Sequence, residues 1–536
     1  MSQAAGVRMP AQLQFGEFCV LLESLKGDSK KRVETLRKLW TQYPDDMHAL
    51  LQLLLPAFDR DRIFFLKEAA LAEAYTQSLG IKGTPDALKL KFWRNPQQAG
   101  TNSGQFGELV EEVVKQRCAS KMSITINEVN SFLDELSQAA RSTEGKQSTT
   151  QLQSVVFVKL IDRINANGHK WLCKIILKDL KIGLSEKTVF KSLHEEAEEL
   201  YNRCCDLGKL AAQVDKCGKT AQPLLMLDSV KLFQPLRPML ADRCMLDDKL
   251  LAKLGIPFAI ETKFDGERMQ IHKDGDTVRF FARKGKEWTA IFQHKLAPLV
   301  RTLVGVDNCI LDGEVVAWDS ERKCWADFGN VKGVAMMGID AGAPNARKGG
   351  AASPASAKAD AGRKWHGAPA NPRYELCFQI FDVLYVNGTI LMGLPLDERL
   401  KQLKQIVTPQ KPLFEIVEQR IARTLDEVAD SLDVAVNSGE EGLVLKSLGS
   451  QYMPGERKGD WLKLKPDYLA GGNEDVDVLI VGCFNGRGRR GGKLWEFLMA
   501  VLDEESVKTG KLRFLSFCKV CFSVSEVTPA SIMRVP

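Results

Sequence analysis

The sequence predicts a multidomain chain. It has an all-α domain over 1–240, an α+β domain over 241–475 and an incomplete small β-barrel over 476–536. Three observations carry that reading. At 536 residues the chain exceeds what one hydrophobic core usually supports. Up to about residue 240 the apolar residues recur at helical spacing. From about 250 they alternate in short runs rich in Val, Ile and Phe, broken by Asp-Gly or Asn-Gly turns.

The helical region opens with "FGEFCVLLESL" at 15–25. A long apolar-periodic run over 48–80 follows, and Gly80 and Gly83 suit C-caps or turns after it. "SITINEVNSFLDELSQ", 123–138, predicts another helix with Ser123 or Thr125 as N-cap. The polar stretch 141–151 reads as a loop. "HKWLCKIILKDLKIGLSEKTVF", 169–190, predicts one continuous helix. Leu172, Ile175, Ile176 and Leu180 form its apolar stripe. Lys170, Lys174, Lys178 and Lys181 recur four, four and three residues apart along another face. A solvated face is the plain reading of such a stripe. Four ammonium groups with only Asp179 among them could instead follow a phosphate backbone.

Strands are expected at "FAIETKF", "RMQIHKDGDTVRFFAR", "CILDGEVVAWD", "ELCFQIFDVLYVNG", "EGLVLKS" and "DWLKLKP", with helices over 396–407 and 424–437. This is an antiparallel α+β pattern. Residues 340–372, dominated by Gly, Ala, Ser and Pro, predict a disordered surface insertion whose Arg347, Lys348, Arg363 and Lys364 could touch nucleic acid. After 475 a strand, a basic glycine-rich turn at 487–493 and a further strand would begin a small barrel.

The totals exclude several classes. Hydrophobic and charged fractions of 44% and 26% suit a folded soluble protein. The longest apolar run, "ALLQLLLPAF", is too short to span a bilayer and contains Pro56, so no membrane association is expected. The N-terminus lacks a secretory pattern, which favours an intracellular chain. Thirteen scattered cysteines read as reduced thiols, and the lone CxxC pair, Cys518 and Cys521, does not make a zinc site. Six histidines argue against a His-rich metal centre, and a net charge of +6 does not by itself identify a polyanionic partner.

The chemistry concentrates in "AIETKFDGERMQIHKDGD", 259–276. Strand alternation would put Glu261, Lys263 and Asp265 on one side, with Thr262, Phe264 and Gly266 on the other. A lysine between two carboxylates is either a salt-bridge row or a positioned reactive amine. One KxDG tetrapeptide is weak evidence. The ordered company of "FARKG", "LDGE", "FQIFDVL", "EEGLVLK" and "WLKLKP" raises its value. This series resembles the nucleotidyltransferase motifs of ATP-dependent DNA ligases and related capping enzymes. The likeness is nearest to the eukaryotic end-joining group, the ligase IV type, through the Met269 and His272 flank, "DALKL", "RPMLA" and the lysine-bearing segment. It runs from near residue 15 to about 500, apart from the insertion.

The resemblance implies a helical DNA-binding domain, an adenylation domain and an OB-fold domain. It implies ATP and Mg²⁺ as cofactors, nicked or broken double-stranded DNA as partner, a place in double-strand break repair by end joining, and the nucleus as location. Lys30-Lys31-Arg32 is a small basic cluster in keeping with nuclear import. Lys263 matches the nucleophile that takes AMP as a phosphoramidate, an amine that attacks only when neutral. Glu261 and Thr262 would read adenine, Phe264 would sit beside the nucleophile, and Phe381 would stack on the base. Arg268 and Glu314 match ribose contacts, and Arg283 matches a phosphate contact. Lys463 and Lys465 would bind the α-phosphate, with Lys446 completing that set. Glu441, helped by Glu314, would place the metal. Lys170, Lys174, Lys178 and Lys181 would meet the DNA backbone in the minor groove.

Family members carry an RxDK-type motif near the end of the barrel, which orients the pyrophosphate, and tandem BRCT modules with an end-joining scaffold segment between them. Neither is matched here, so self-adenylation is the step the resemblance supports least. Two other readings stand beside the ligase. A capping-type guanylyltransferase or RNA ligase shares the lysine motif but usually lacks the helical region. A non-catalytic DNA-end-binding fragment would bind without sealing.

Overall fold

The computed structural model describes residues 12–26, 29–141, 149–220, 230–326, 331–336, 373–468, 478–486, 494–503, 506 and 512–521. They divide into two compact units, one of 1–195 with 474–536 and one of 196–473. The expected insertion at 340–372 and the basic turn at 487–493 lie outside the described residues.

The first unit carries the helical domain. Thr125, not Ser123, caps the helix Ile126–Arg141: its hydroxyl accepts from Glu128 N at 3.2 Å while Glu128 Oε2 accepts from Thr125 N at 2.8 Å. The run over 48–80 is two helices, Met47–Leu54 and Glu68–Ser78, because Pro56 cannot continue the first. Part of the expected loop, from Thr149 on, is the start of the helix Thr149–Ile161.

The largest correction falls on 169–190. The helix here is Ala166–Ile176, and a second helix, Glu186–Leu193, starts after the Ser185 cap. A left-handed residue, Lys178 at φ 57°, ends the first. Lys178 N donates to Ile175 O at 2.9 Å and Asp179 N to Lys174 O at 3.0 Å, the two bonds of a Schellman closure. The four lysines therefore do not share one exposed helix face. Lys170 is ion-paired with Glu23 at 2.8 Å and Glu111 at 3.2 Å, and buried Lys174 with Glu108 at 2.5 Å. Lys178 Nζ donates to Asp59 O at 2.6 Å. Lys181, also left-handed, faces Asp179 at 3.5 Å near the surface. Burial explains the pairing: an ammonium drawn under the surface needs a carboxylate. Lys174→Ala should therefore lower stability by about 1–2 kcal/mol, the cost of leaving Glu108 without its partner. A thermal melt matching the unaltered chain would return Lys174 to the surface role.

The same unit holds a curled antiparallel sheet of three strands, Leu479–Asn485, Leu494–Leu502 and Phe514–Cys521, with bulges in both pairings. It is a partial barrel of the OB type. Cys518 and Cys521 lie on its last strand opposite Met499 and Glu496, and no disulfide joins cysteines among the described residues. No group of three metal-ligating side chains occurs among the described residues. No helix among them is long and apolar enough to cross a membrane.

The second unit positions the chemistry. Its strands are β1 (Asp242–Arg243), β2 (Phe258–Thr262), β3 (Glu267–Asp274), β4 (Thr277–Ala282), β5 (Asn308–Asp319), β6 (Cys324–Trp325), β7 (Tyr374–Val386), β8 (Thr389–Ile390), β9 (Phe414–Ile416), β10 (Arg420–Ala422), β11 (Leu443–Ser447) and β12 (Trp461–Leu464). One sheet runs β4-β3-β5-β7-β8, with β6 and β9 attached, and the other runs β1-β12-β11-β2-β10. Helices Thr289–Leu303 and Leu396–Ile406 pack on the first through Phe292, Leu296, Leu400 and Leu403, joined to Ile271, Phe280, Leu311 and Phe378. Helix Leu425–Asn437, begun by a Thr424–Glu427 capping box, covers the second through Val428 and Leu432. Each sheet buries one apolar face, and the polar residues of β2, β3, β5, β11 and β12 are left to line a cleft.

Candidate active site

β2 is buried through Ile260 and Glu261 and ends at Thr262, so Lys263 begins the segment after the strand. The expected alternation fails there. Glu261, Thr262, Lys263, Phe264, Asp265 and Gly266 all line one cavity of about 420 Å³, because the backbone leaves the strand before Lys263. Two glycines make the turn fit. A Cβ on Gly266 would stand 2.4 Å from Val315 O. One on Gly442, whose φ is 136°, would stand 2.3 Å from Leu464 O. The Gly442 carbonyl accepts from Lys263 N at 2.8 Å, which fixes the root of the lysine side chain.

Lys263 Nζ is ion-paired with one oxygen of Glu441, and Lys465 Nζ with the other. Burial raises the Glu441 carboxyl, and the two ammonium groups more than reverse that, leaving it below its ordinary value. Asp265 moves the other way, raised by burial and then by Glu441. Arg268 faces Glu314 across β3 and β5 and is bridged to buried Asp312 at 2.7 Å. Phe381 lies 5.1 Å from the Arg268 guanidinium. Lys446 Nζ sits 2.6 Å from Glu261 Oε2, both side chains buried, and 4.5 and 4.2 Å from the rings of Phe381 and Trp461. Burial raises the Glu261 carboxyl and Lys446 opposes it.

Three cations of the cleft, Arg283, Arg457 and Lys463, have no carboxylate within ion-pair distance among the described residues. Burial first, then their neighbours' positive charge, lowers both Arg283 and Lys463. Arg457 acts on both. A crowded, partly desolvated set of unpaired cations is poised for an anion.

Comparison with known proteins gives the family of the chain. Residues 14–194 match the family described as DNA ligase N terminus, and residues 238–465 match the ATP dependent DNA ligase domain. The chain belongs to the ATP-dependent DNA ligase family. It is 32% identical to DNA ligase 4 of Dictyostelium discoideum over 98% of this chain and 51% of that protein. It is 34% identical to DNA ligase 4 of Arabidopsis thaliana over 94% of this chain and 40% of that protein. It thus spans about half the length, or less, of these relatives. A solved chain named Pmar-Lig_Pre superposes with a TM-score of 0.51 at 15% identity, covering 93% of this chain and 86% of that one, a likeness of fold.

Within this ligase-family cleft the structure gathers Glu261, Thr262, Lys263, Phe264, Arg268, Arg283, Glu314, Phe381, Glu441, Lys446 and Lys463. Lys465 is not among the lining residues and is ion-paired with Glu441, which is. Sequence reasoning missed Asp312 and Trp461, although both sit inside quoted motifs, and it missed Gln419, Tyr452 and Arg457. Gln419 Nε2 donates to Glu261 Oε1 at 3.3 Å. Glu441 and Glu314 offer two carboxyl groups on one cavity, a donor set suited, once Glu314 has given up its proton, to Mg²⁺ held mainly by phosphate and water.

Burial pushes the Glu314 carboxyl up to about 8, against the pull of Arg268 and Lys263. A carboxyl raised in the folded state keeps its proton where the unfolded chain has lost it. Stability therefore falls as pH rises from the ordinary value near 4.5 to about 8, and levels above. Glu314→Gln should flatten that fall in denaturant titrations across the window. Equal slopes for both proteins would contradict the assignment.

Proposed function

We propose that this chain seals breaks in duplex DNA by ATP-dependent ligation, with Lys263 as the temporary carrier of AMP. The observation that carries the reading is Lys263 at the exit of β2, salt-bridged to a Glu441 that Lys465 shares, beside the unpaired Arg283, Arg457 and Lys463. The Lys263 amine, once deprotonated, attacks the α-phosphorus of ATP. Pyrophosphate leaves and a phosphoramidate remains. Lys463, Lys465 and Arg283 neutralise the phosphate charge that develops. Phe381 stacks on adenine, Glu261 and Thr262 meet its edge, with Lys446 set against Glu261, and Arg268 and Glu314 meet the ribose. Glu441 with Glu314 would hold Mg²⁺, which supplies further neutralisation at the phosphates. AMP then passes to a DNA 5′-phosphate, and a 3′-hydroxyl displaces it as the backbone closes.

The finer reading, supported by the relatives' name and the Met269 and His272 flank, is end joining of double-strand breaks in the nucleus. For DNA contact, Lys181 is the most solvent-exposed of the four lysines (40% of its side chain), whereas Lys170 and Lys174 act by holding the helices in place. Lys181→Ala should weaken binding to nicked duplex and reduce the salt slope by about one charge. An unchanged slope would remove it from the interface.

The test of the activity is incubation of the chain with α-labelled ATP or GTP and Mg²⁺, then with nicked and with pre-adenylated nicked DNA. Labelling by ATP and closure of the nick are expected. Labelling by GTP alone would overturn the ligase in favour of a capping enzyme. DNA binding without closure of even the pre-adenylated nick would leave the non-catalytic reading.

A further inference from the structure

Arg268 belongs to a closed ring of hydrogen bonds drawn from four separate segments. Its Nη2 donates to Asp312 Oδ2 at 2.7 Å and its Nε to Asp312 Oδ1 at 3.2 Å. The Tyr452 hydroxyl donates to the same Oδ2 at 2.6 Å. That hydroxyl also accepts from the Met239 backbone N–H at 3.1 Å. The Met239 carbonyl accepts from Arg268 Nη1 at 2.6 Å, which closes the ring. Asp312 and Tyr452 are buried, and Arg268 reaches the cleft. Burial, then Asp312, holds the Tyr452 phenol well above its ordinary value, so it remains a donor.

Both supports of the ring are themselves anchored. Tyr452 N donates to Met392 O at 2.9 Å, and nearby Ser450 O accepts from Arg399 at 2.8 Å. The Met239 segment is tied along β3. Leu236 exchanges two bonds with the Gln270 side chain, at 3.0 and 2.9 Å, and Phe233 N donates to His272 Nδ1 at 3.0 Å. Arg268, Gln270 and His272 are alternate residues of one strand and share a face, so the segment 233–239 lies as a strap across it. A long arginine side chain ordinarily samples many rotamers, and the ring removes that freedom before any ligand arrives.

We propose that Tyr452 is a positioning residue for the bound nucleotide: through Asp312 it fixes the Arg268 guanidinium in the orientation that meets the sugar. This rests on the ATP reading of the cleft. Without the hydroxyl, Asp312 Oδ2 is left with Arg268 alone, the Met239 N–H loses its acceptor, and the guanidinium is free to turn.

Tyr452→Phe removes one oxygen and keeps the ring packed against Trp461, 5.9 Å away. In covalent labelling, KM for ATP should rise about tenfold with kcat within about twofold, and the preference for ATP over 2′-deoxyATP should shrink by a similar factor. Asp312→Asn, which keeps the shape but loses the charge, should move the same quantities in the same direction. A readout independent of turnover is the Nε–H signal of Arg268 in ¹⁵N-arginine NMR of the unliganded chain. It should be protected in the unaltered protein and mobile in Tyr452→Phe. An unchanged Arg268 signal in that variant, or a fall in kcat with the ATP to 2′-deoxyATP ratio unmoved, overturns the proposal. Absence of labelling in the unaltered protein would instead count against the ATP reading, and the NMR comparison would still judge the ring.

Discussion

Lys263→Ala is expected to reduce covalent AMP transfer by at least about a thousandfold, to background, with the fold and binding to nicked DNA retained. The structure explains why the loss should be confined to chemistry. Lys263 follows β2, so its side chain supports no sheet register, and its backbone bond to Gly442 survives the change. Glu441 keeps Lys465 as partner, so no carboxylate is left without a counter-charge in the cleft. Acid-labile AMP recovered on the variant, or on any other peptide of the unaltered chain, would refute the assignment. Circular dichroism and a thermal melt beside the labelling separate lost chemistry from lost structure.

Arg399→Ala should be among the most destabilising single changes in the 196–473 unit, at about 3–5 kcal/mol. Arg399 and Asp382 are both fully buried and joined through Nε and Nη2 at 2.8 Å. The remaining nitrogen donates to Leu394 O at 2.6 Å and Ser450 O at 2.8 Å. Truncation leaves Asp382 in the interior of β7 without its guanidinium partner, and two carbonyls without that donor. Denaturant unfolding gives the number, and a loss below about 1 kcal/mol would show that the pair is dispensable. Replacing both residues by apolar ones of similar volume should recover much of the deficit, since the cost lies in the unpaired charge.

Two helix ends show how far local sequence could be read. At Gly80 and at Lys178 the backbone closes in the same way, with a left-handed residue and crossed bonds to the preceding turn. Glycine announces such a closure, because it adopts positive φ without steric cost. Lysine does not, and the helix over 169–190 was therefore expected to continue. The lysine stripe shows a second limit. Its spacing is visible in the sequence, but Glu23, Glu108 and Glu111, which neutralise Lys170 and Lys174, come from other helices.

In the cleft, residue types and order were legible because the motifs are local: "LDGE", "EEGLVLK" and "WLKLKP" each fit on one strand and its flank, and "ETKFDGER" on the turn that joins β2 to β3. The partnerships were not. Lys263 and Glu441 are 178 residues apart, and Tyr452 and Asp312 are 140 apart. By itself the sequence determined the helical, α+β and barrel classes and most of the residues that line the cleft, since periodicity and motif order are properties of neighbouring residues. Only the tertiary structure decided which charges are paired, which three cleft cations lack an ion-pair partner among the described residues, and which carboxyl burial raises. Those outcomes depend on how much water each group loses and which distant segment meets it, quantities that exist only once the chain is packed.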